Sequence, residues 1–600
     1  MFQKSFQYIL AIFFIFNIST VFGQQDTTIS REVEVVKSYT PTIRDAYKIN
    51  EMPGIEEEEQ EKPTFNYSIF SQPIYNTFSV NTLKAATFAS EPDDDHGFGL
   101  VKAGVGNYNK PYGEVFFNSQ NIKNSIFGLH GKHLSSHAKI KLEGGDKVKA
   151  PFSENNAEMF IKHLARNSVL SVNLSFDHKG FNYYGYPVDS VPAVLKEEDQ
   201  EINYFGTRQA FSKGALNINL DNTDADIDEF AFDFNFLYHY FGTKTEQREH
   251  FGEFIADVRK PLESGIGFLE AGATFVRANN IYNYSMLDIS SNQQIWLMAK
   301  PAWRFGGDVA NVKVGINAWF VMDDDTDTKA KIAPNVRLNF VPAKEVISIF
   351  AGVDGNYNNN HYSKIAYENP FVAPMHDVRN SFEKLRVFGG FDGKFAPKTN
   401  FKLSAEYAMT DSEHFYYLYE HVYPTAGPLP SPSIINNHFD MQYDNMKRTK
   451  FNVEIFHSSS EKLDLLISGN YYIYKLDSLD EAWNKPNWEA KLALGYKISD
   501  QLTVSTDVFL TGERKALIVE TNGFDSRQNP YVPISEIPRA IKKSYTLKPV
   551  IDMNFTANYK ITSNFAVFAQ LHNFGFQQYE RWLGYPVQSF NVLGGLSYAF

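Results

Sequence analysis

Residues 230–240 read FAFDFNFLYHY. Phe230, Phe232, Phe234, Phe236, Tyr238 and Tyr240 take every second place, with Ala231, Asp233, Asn235, Leu237 and His239 between them. Side chains alternate across a β-strand with a period of two, so this run gives one strand an aromatic face and a mixed, polar face. The rhythm continues outward in both directions. Leu170, Val172, Leu174 and Phe176 alternate with Ser171, Asn173, Ser175 and Asp177. Leu216, Ile218 and Leu220 enclose Asn217 and Asn219, and Val312, Val314, Ile316, Ala318 and Phe320 repeat the pattern. Ile551, Met553, Phe555, Ala557, Tyr559 and Ile561 oppose Asp552, Asn554, Thr556, Asn558 and Lys560. No stretch carries a 3.6-residue period of similar length. The chain therefore reads as all-β.

Composition selects among all-β folds. The 600 residues include 52 Phe, 34 Tyr and 6 Trp but no Cys, and 21% are charged. Mean hydropathy is −0.35. A polytopic helical membrane protein needs repeated apolar runs of about 20 residues, and a disulfide scaffold needs cysteines; both are excluded. An aromatic-rich chain of polar average fits a transmembrane antiparallel β-barrel, with apolar residues toward lipid and polar residues toward the lumen. Alternation persists over residues 96–600, longer than a soluble β domain sustains. Short breaks at residues 107–111, 260–261, 306–308, 397–400 and 562–564 mark turns. Longer polar or Pro-rich excursions at 186–203, 358–379, 421–437, 477–486 and 512–538 mark loops. At roughly 23 residues per strand with its connection, the barrel holds about 22 strands. Aromatic clusters at residues 182–186, 415–419 and 471–474 read as girdles at the membrane interfaces.

Lys4 precedes the apolar run YILAIFFIF at residues 8–16, and Val21-Phe22-Gly23 follows. Residues 1–23 are expected to be a secretory signal peptide, since the run is too short to span a bilayer. Residues 24–95 differ from the rest, with Pro41, Pro53, Pro63, Pro73 and Pro92 and an acidic block from Glu56 to Glu59. They are expected to form an extended periplasmic segment. Within it Val33, Glu34, Val35 and Val36 make a short β-prone run that could add to the sheet edge of a partner. Asp93 to Asp95 and Asp323 to Asp325 lack the spacing of a calcium loop and read as solvated turns. With a net charge of −13, made one unit more negative by loss of Lys4, the chain is a poor ligand for nucleic acid.

Phe590, Val592, Gly594, Leu596, Tyr598 and Phe600 share one face of a last strand. They resemble the C-terminal assembly signal of outer-membrane barrels, which the barrel-insertion machinery reads. Just before it, residues 571–586 read LHNFGFQQYERWLGYP. Asn573, Tyr579, Gly584 and Pro586 match the hairpin preceding the last strand of TonB-dependent receptors, while Gly575 stands where that family has a bulky apolar residue. The chain thus resembles a plugless, TonB-dependent-receptor-like barrel of the Gram-negative outer membrane, because residues 24–95 leave no room for the family's plug domain. The resemblance implies contact with outer-membrane lipid and, through residues 24–95, with TonB or a periplasmic or lipoprotein partner.

Catalytic motifs are lacking. There is no cysteine nucleophile, Gly-x-Ser-x-Gly elbow, phosphate-binding loop or His-Glu-x-x-His. His130, His133 and His137 are the tightest histidine group and read as lumen or loop residues rather than a metal site. No cofactor and no metal are expected. The leading functional reading is passage or uptake of solute, with Asn217, Asp233, Asn554 and Lys560 lining a lumen blocked by residues 24–95 or by a partner. The alternatives are a non-transporting structural or assembly subunit docking a partner through residues 24–95, and a lipid-modifying enzyme with a triad at one rim.

Overall fold

The computed structural model describes residues 98–119, 124–142, 145, 147–185, 208–222, 229–279, 292–323, 326–343, 346–373, 378–422, 438–459, 462–522 and 540–600. The expected signal peptide at residues 1–23 and the segment 24–95 with its Val33, Glu34, Val35 and Val36 lie outside these residues.

Of the described strands, 24, from Gly99–Gly106 to Asn591–Ala599, join in one sheet, and Lys139–Lys141 with Lys147–Lys149 and Glu580–Trp582 with Tyr585–Pro586 form two small hairpins apart from it. Two strands of the large sheet, Arg514–Asn522 and Ala540–Leu547, pair as a ribbon beyond the wall, because Leu502–Thr511 pairs directly with Val550–Lys560. The other 22 form a closed antiparallel barrel, in agreement with the strand count read from the sequence. Closure joins Gly99–Gly106 to Asn591–Ala599. Gly99 N–H donates to the Phe600 carbonyl at 2.9 Å and Phe600 N–H to the Gly99 carbonyl at 3.0 Å. Closure is what permits a sheet to sit in hydrocarbon, since every wall strand then has two hydrogen-bonded neighbours and no edge remains.

The alternation appears as two faces. In the strand Ala231–Thr243, Phe236, Tyr238 and Tyr240 are exposed, while His239 and Phe241 are buried. Leu174, Phe176, Val314, Ile316, Phe320, Ile551 and Tyr559 are likewise exposed on the outer wall, where lipid replaces water. The opposite face is laced by amides from strand to strand. Asn235 donates to Asn217 at 3.0 Å, Asn335 to Asn317 at 2.9 Å, Asn339 to Asn311 at 3.0 Å and Asn452 to Asn470 at 2.9 Å. Arg386 grips Asp354 with two bonds of 2.8 and 2.6 Å.

Connections at the end that holds Gly99 and Phe600 include tight turns such as Leu262 to Gly265, Ala396 to Thr399 and Lys560 to Phe565. The long loops lie at the other end, so the tight-turn end is periplasmic and the loop end extracellular. The turn expected at Lys260-Pro261 sits slightly later, because the strand Arg248–Leu262 runs through both residues before Gly265 reverses the chain at φ 145°. Strands of 24 residues (Thr399–Val422) and 21 residues (Phe439–Ser459) far exceed the roughly 9–11 residues a spanning strand needs, so they extend beyond the bilayer. Among the described residues the one helix is Tyr362–Glu368, in the extracellular loop between Ile347–Asn358 and Ser381–Ala396. No described helix is long and apolar enough to cross a membrane.

Candidate functional site

The inward face changes character along single strands. In Ala231–Thr243 it passes from Asp233 and Asn235 at the periplasmic end to Leu237, His239 and fully buried Phe241 at the extracellular end. Arg208–Asp221 does the same, from Asn219 and Asn217 to Phe211 at 1% exposure. Val169–Asn182 ends in buried Phe181, with Tyr183 just beyond it.

These aromatic ends meet the loop 359–373, which folds into the mouth. Tyr362 lies 6.1 Å from Phe241 and Tyr367 lies 6.3 Å from Phe211, ring centroid to centroid. Phe371 stacks on Tyr585 at 3.6 Å, and Tyr585 also meets Tyr184 at 5.0 Å. Trp582 meets Tyr416 at 5.0 Å and Phe439 at 5.5 Å. Phe211 belongs to the sixth strand of the 22-strand ring and Tyr416 to the fifteenth, so the two walls nearly face each other. One aromatic cluster, the stopper, therefore spans the extracellular mouth. Aromatic rings suit this role: each buries a large area and adds an edge or stacking contact beyond it.

Polar anchors fasten the stopper at both sides. The Phe371 carbonyl accepts from Phe439 N–H at 2.9 Å and Ala373 N–H donates to the Phe439 carbonyl at 2.8 Å, which pins the loop to the far wall. On the near wall, Glu249 accepts from Ser363 N–H at 3.2 Å and from the Ser363 hydroxyl at 2.6 Å. Glu249 thereby caps the short helix from a strand, satisfying an N–H that its own first turn leaves without a partner. His361 Nδ1 and His239 Nε2 stand 2.8 and 3.5 Å from the same carboxylate. The donor atoms of His239, Glu249 and His361 all lie within 4.8 Å of one another. Burial pushes the Lys364 ammonium down and the Tyr362 phenol well above its ordinary value.

The second mouth segment, residues 573–590, carries the residues that suggested a receptor-like hairpin. Asn573 adopts φ 52°, which Asn tolerates better than most residues, and its amide donates to the carbonyls of Gln577 at 2.7 Å and Gln588 at 3.2 Å. Tyr579 donates to Asp552 at 2.8 Å in the buried wall. Gly584 has φ 79°, and a Cβ there would lie 3.0 Å from the Gly185 carbonyl oxygen. The Pro586 carbonyl accepts from Tyr184 at 3.0 Å. Arg514 of the ribbon donates to the Arg581 and Glu580 carbonyls at 2.5 and 2.7 Å, and burial pulls its guanidinium down to about 10. The four residues that suggested the hairpin thus hold an inward-folded loop that carries Trp582 and Tyr585.

Other expected residues fall as follows. Leu596, Tyr598 and Phe600 are exposed on the outer face, which half-buried Val592 and Gly594 share, while Asn591 and Leu593 turn inward and are buried. Phe590 precedes the strand and stacks on Phe576 at 4.6 Å. His130 contacts Glu114 at 3.1 Å and His133 contacts Asn155 at 2.6 Å, each with its own partner. Two aromatic clusters read as membrane girdles require correction. Tyr183, Phe415, Tyr416, Tyr417 and Leu418 are all at most 5% exposed; Tyr183, Tyr416 and Leu418 lie in the mouth, while Phe415 and Tyr417 pack on the opposite face against Trp483, Leu517 and Val519. Consecutive aromatics point to both faces of a strand, so here both faces are covered by protein rather than one by lipid. In the third cluster Tyr471 and Ile473 do face outward. The His239, Glu249 and His361 grouping was not legible in the sequence, because Glu249 and His361 are 112 positions apart.

Beneath the stopper lies a cavity of about 610 Å³. Lys110, Lys132, Lys179, Lys213 and Arg581 line it together with Glu154, Asp177 and Asp552, and Phe371, Trp582 and Tyr585 roof it. Such a compartment has the size and mixed polarity of a small-molecule site.

The closed ring of 22 strands has counterparts among solved structures. The FrpB iron transporter from Neisseria meningitidis superposes with a TM-score of 0.61 at 9% identity, over 84% of this chain and 82% of that one. This chain shares the closed β-barrel fold of that transporter. The pyoverdine outer membrane receptor FpvA from Pseudomonas aeruginosa PAO1 is similar at a TM-score of 0.58 and 12% identity, covering 85% of this chain and 79% of that one. The siderophore receptor PirA from Acinetobacter baumannii matches at the same score and identity, over 85% and 81%. No family model and no curated protein matches the chain. At these identities the receptor-like barrel shares its fold with those proteins, and its mouth must be read from its own residues.

Proposed function

We propose that this barrel is a gated route for solute across the outer membrane, serving uptake rather than catalysis. The observation that carries this reading is the cavity roofed by the aromatic stopper. A passive structural barrel has no need of a solute-sized compartment under its own folded-in loops. The names of the similar structures, an iron transporter and siderophore receptors, support a transport role. Five basic side chains against three carboxylates in the cavity lining favour an anionic solute. In this reading residues 24–95, or a periplasmic partner held through Val33, Glu34, Val35 and Val36, block the periplasmic side, and TonB is one candidate for that partner.

Single-channel recording in planar bilayers tests it. The full chain is expected to conduct little, replacing residues 359–373 by a short Gly/Ser turn to raise conductance severalfold, and deleting residues 24–95 as well to raise it further. Under a salt gradient the opened form should prefer anions; a cation preference would remove the anionic-solute assignment. If no form conducts, the passage reading falls and the structural-subunit reading, with residues 24–95 as its docking arm, takes its place.

A further inference from the structure

We propose that His239, Glu249 and His361, with the Ser363 hydroxyl beside them, bind a divalent metal ion of the zinc class, which fastens the stopper to the barrel wall. The site stands or falls independently of whether solute passes. Its parts come from three elements: His239 from Ala231–Thr243, Glu249 from Arg248–Leu262, and His361 with Ser363 from the loop that enters the mouth. Two imidazoles and a carboxylate are a three-ligand set suited to four-coordinate zinc, with the fourth position left to water beside the Ser363 hydroxyl.

The geometry is compact. Glu249 Oε1 lies 2.8 Å from His361 Nδ1, 3.5 Å from His239 Nε2 and 2.6 Å from Ser363 Oγ. Ser363 Oγ lies 3.0 Å from His361 Nδ1 and 3.2 Å from His239 Nε2. A tetrahedral ion with bonds of about 2.1 Å holds its ligands roughly 3.4 Å apart, so these five separations need to change by less than about 1 Å to receive it, while the two imidazole nitrogens, within 4.8 Å of each other, must draw together. The side chains of His239 and Glu249 are 3% and 1% exposed and that of His361 is 12% exposed. Phe251 holds both rings, stacking on His239 at 4.7 Å and lying 4.8 Å from His361.

Two features set this cluster apart from a hydrogen-bonded latch. His361 occupies the N-cap position of the helix yet makes no side-chain cap bond. A residue serving only the helix would be Ser, Thr, Asp or Asn there. Secondly, the ion-pair partners of Glu249 among the described residues are both histidines, which carry no charge in their neutral form. A divalent ion places positive charge directly on a carboxylate buried this deeply, where the Lys213 ammonium acts only from beyond ion-pair distance.

The test uses the full chain in detergent, stripped of metal with a chelator and titrated with Co²⁺, then Zn²⁺. One equivalent of Co²⁺ should bind with the visible absorbance of a four-coordinate site, and Zn²⁺ should displace it. His361→Ala and Glu249→Gln should each abolish the band while the barrel keeps its heat-modifiable folded form, and His130→Ala should leave it intact. Should the site variants misfold, the wild-type chain decides alone. Zn²⁺ is expected to slow amide exchange at residues 361–368 about tenfold, with the lower wall unaffected. No cobalt band in the wild-type chain, a band of full strength in the folded site variants, or unchanged exchange on adding Zn²⁺ would overturn the proposal.

Discussion

The lower lumen and the extracellular mouth share the same strands but are built by opposite rules. Low in the barrel, inward side chains pair with the adjacent strand, as Asn235 does with Asn217 and Asn452 with Asn470. Such bonds follow from register alone. In the mouth, inward side chains pack on elements far away in sequence, as Tyr184 does on Tyr585 and Tyr416 on Trp582. Local pairing leaves the centre of a wide ring free. Long-range aromatic packing fills it, because loops entering from several sides must bury apolar surface against one another rather than against lipid. The contrast shows how one period-two pattern can serve both a polar conduit and its cover.

Three substitutions probe this contrast. The largest effect is expected for Tyr585→Ala, which empties a fully packed aromatic position at the centre of the stopper and should cost the mouth about 3–5 kcal/mol. Amide exchange at residues 362–373 should accelerate strongly while exchange in the lower wall is unchanged. Equal acceleration in both would show that mouth and wall are a single cooperative unit. Leu174→Lys places a charge on the lipid face at mid-strand and should cost about 2–4 kcal/mol, read from the folded fraction in a urea titration in lipid vesicles. A neutral outcome there would mean that this face is not in hydrocarbon. The smallest change is expected for Asn235→Ala, which removes one of many lumen amide bonds and should lower stability by about 1 kcal/mol. A loss comparable to that of Tyr585→Ala, measured by the same titration, would mean that the lumen ladder acts as a cooperative network.

Much of the architecture was legible from residues. The run at 230–240 announced the two faces, and its even-numbered aromatics Phe236, Tyr238 and Tyr240 are indeed on the exposed one. Asn573, Tyr579, Gly584 and Pro586 stood out in the sequence, yet what they hold in place was not readable there. The clusters at Tyr183 and at Phe415 to Leu418 were misassigned to lipid, since an aromatic at a strand end looks the same whether a bilayer or a folded-in loop covers it. Glu249 gave no signal at all, being one carboxylate at the start of a strand.

The sequence by itself determined a barrel of about 22 strands, its greasy and polar faces and several of its loops, because each of these follows from a period that repeats within a few neighbouring residues, although the strand Arg514–Asn522 lies inside a stretch read as loop. Only the tertiary structure decided that the loops turn inward, that Phe371 meets Tyr585, and that His239, Glu249 and His361 converge. Those contacts bring together residues separated by a hundred positions or more, and no local periodicity encodes which distant surfaces will bury one another.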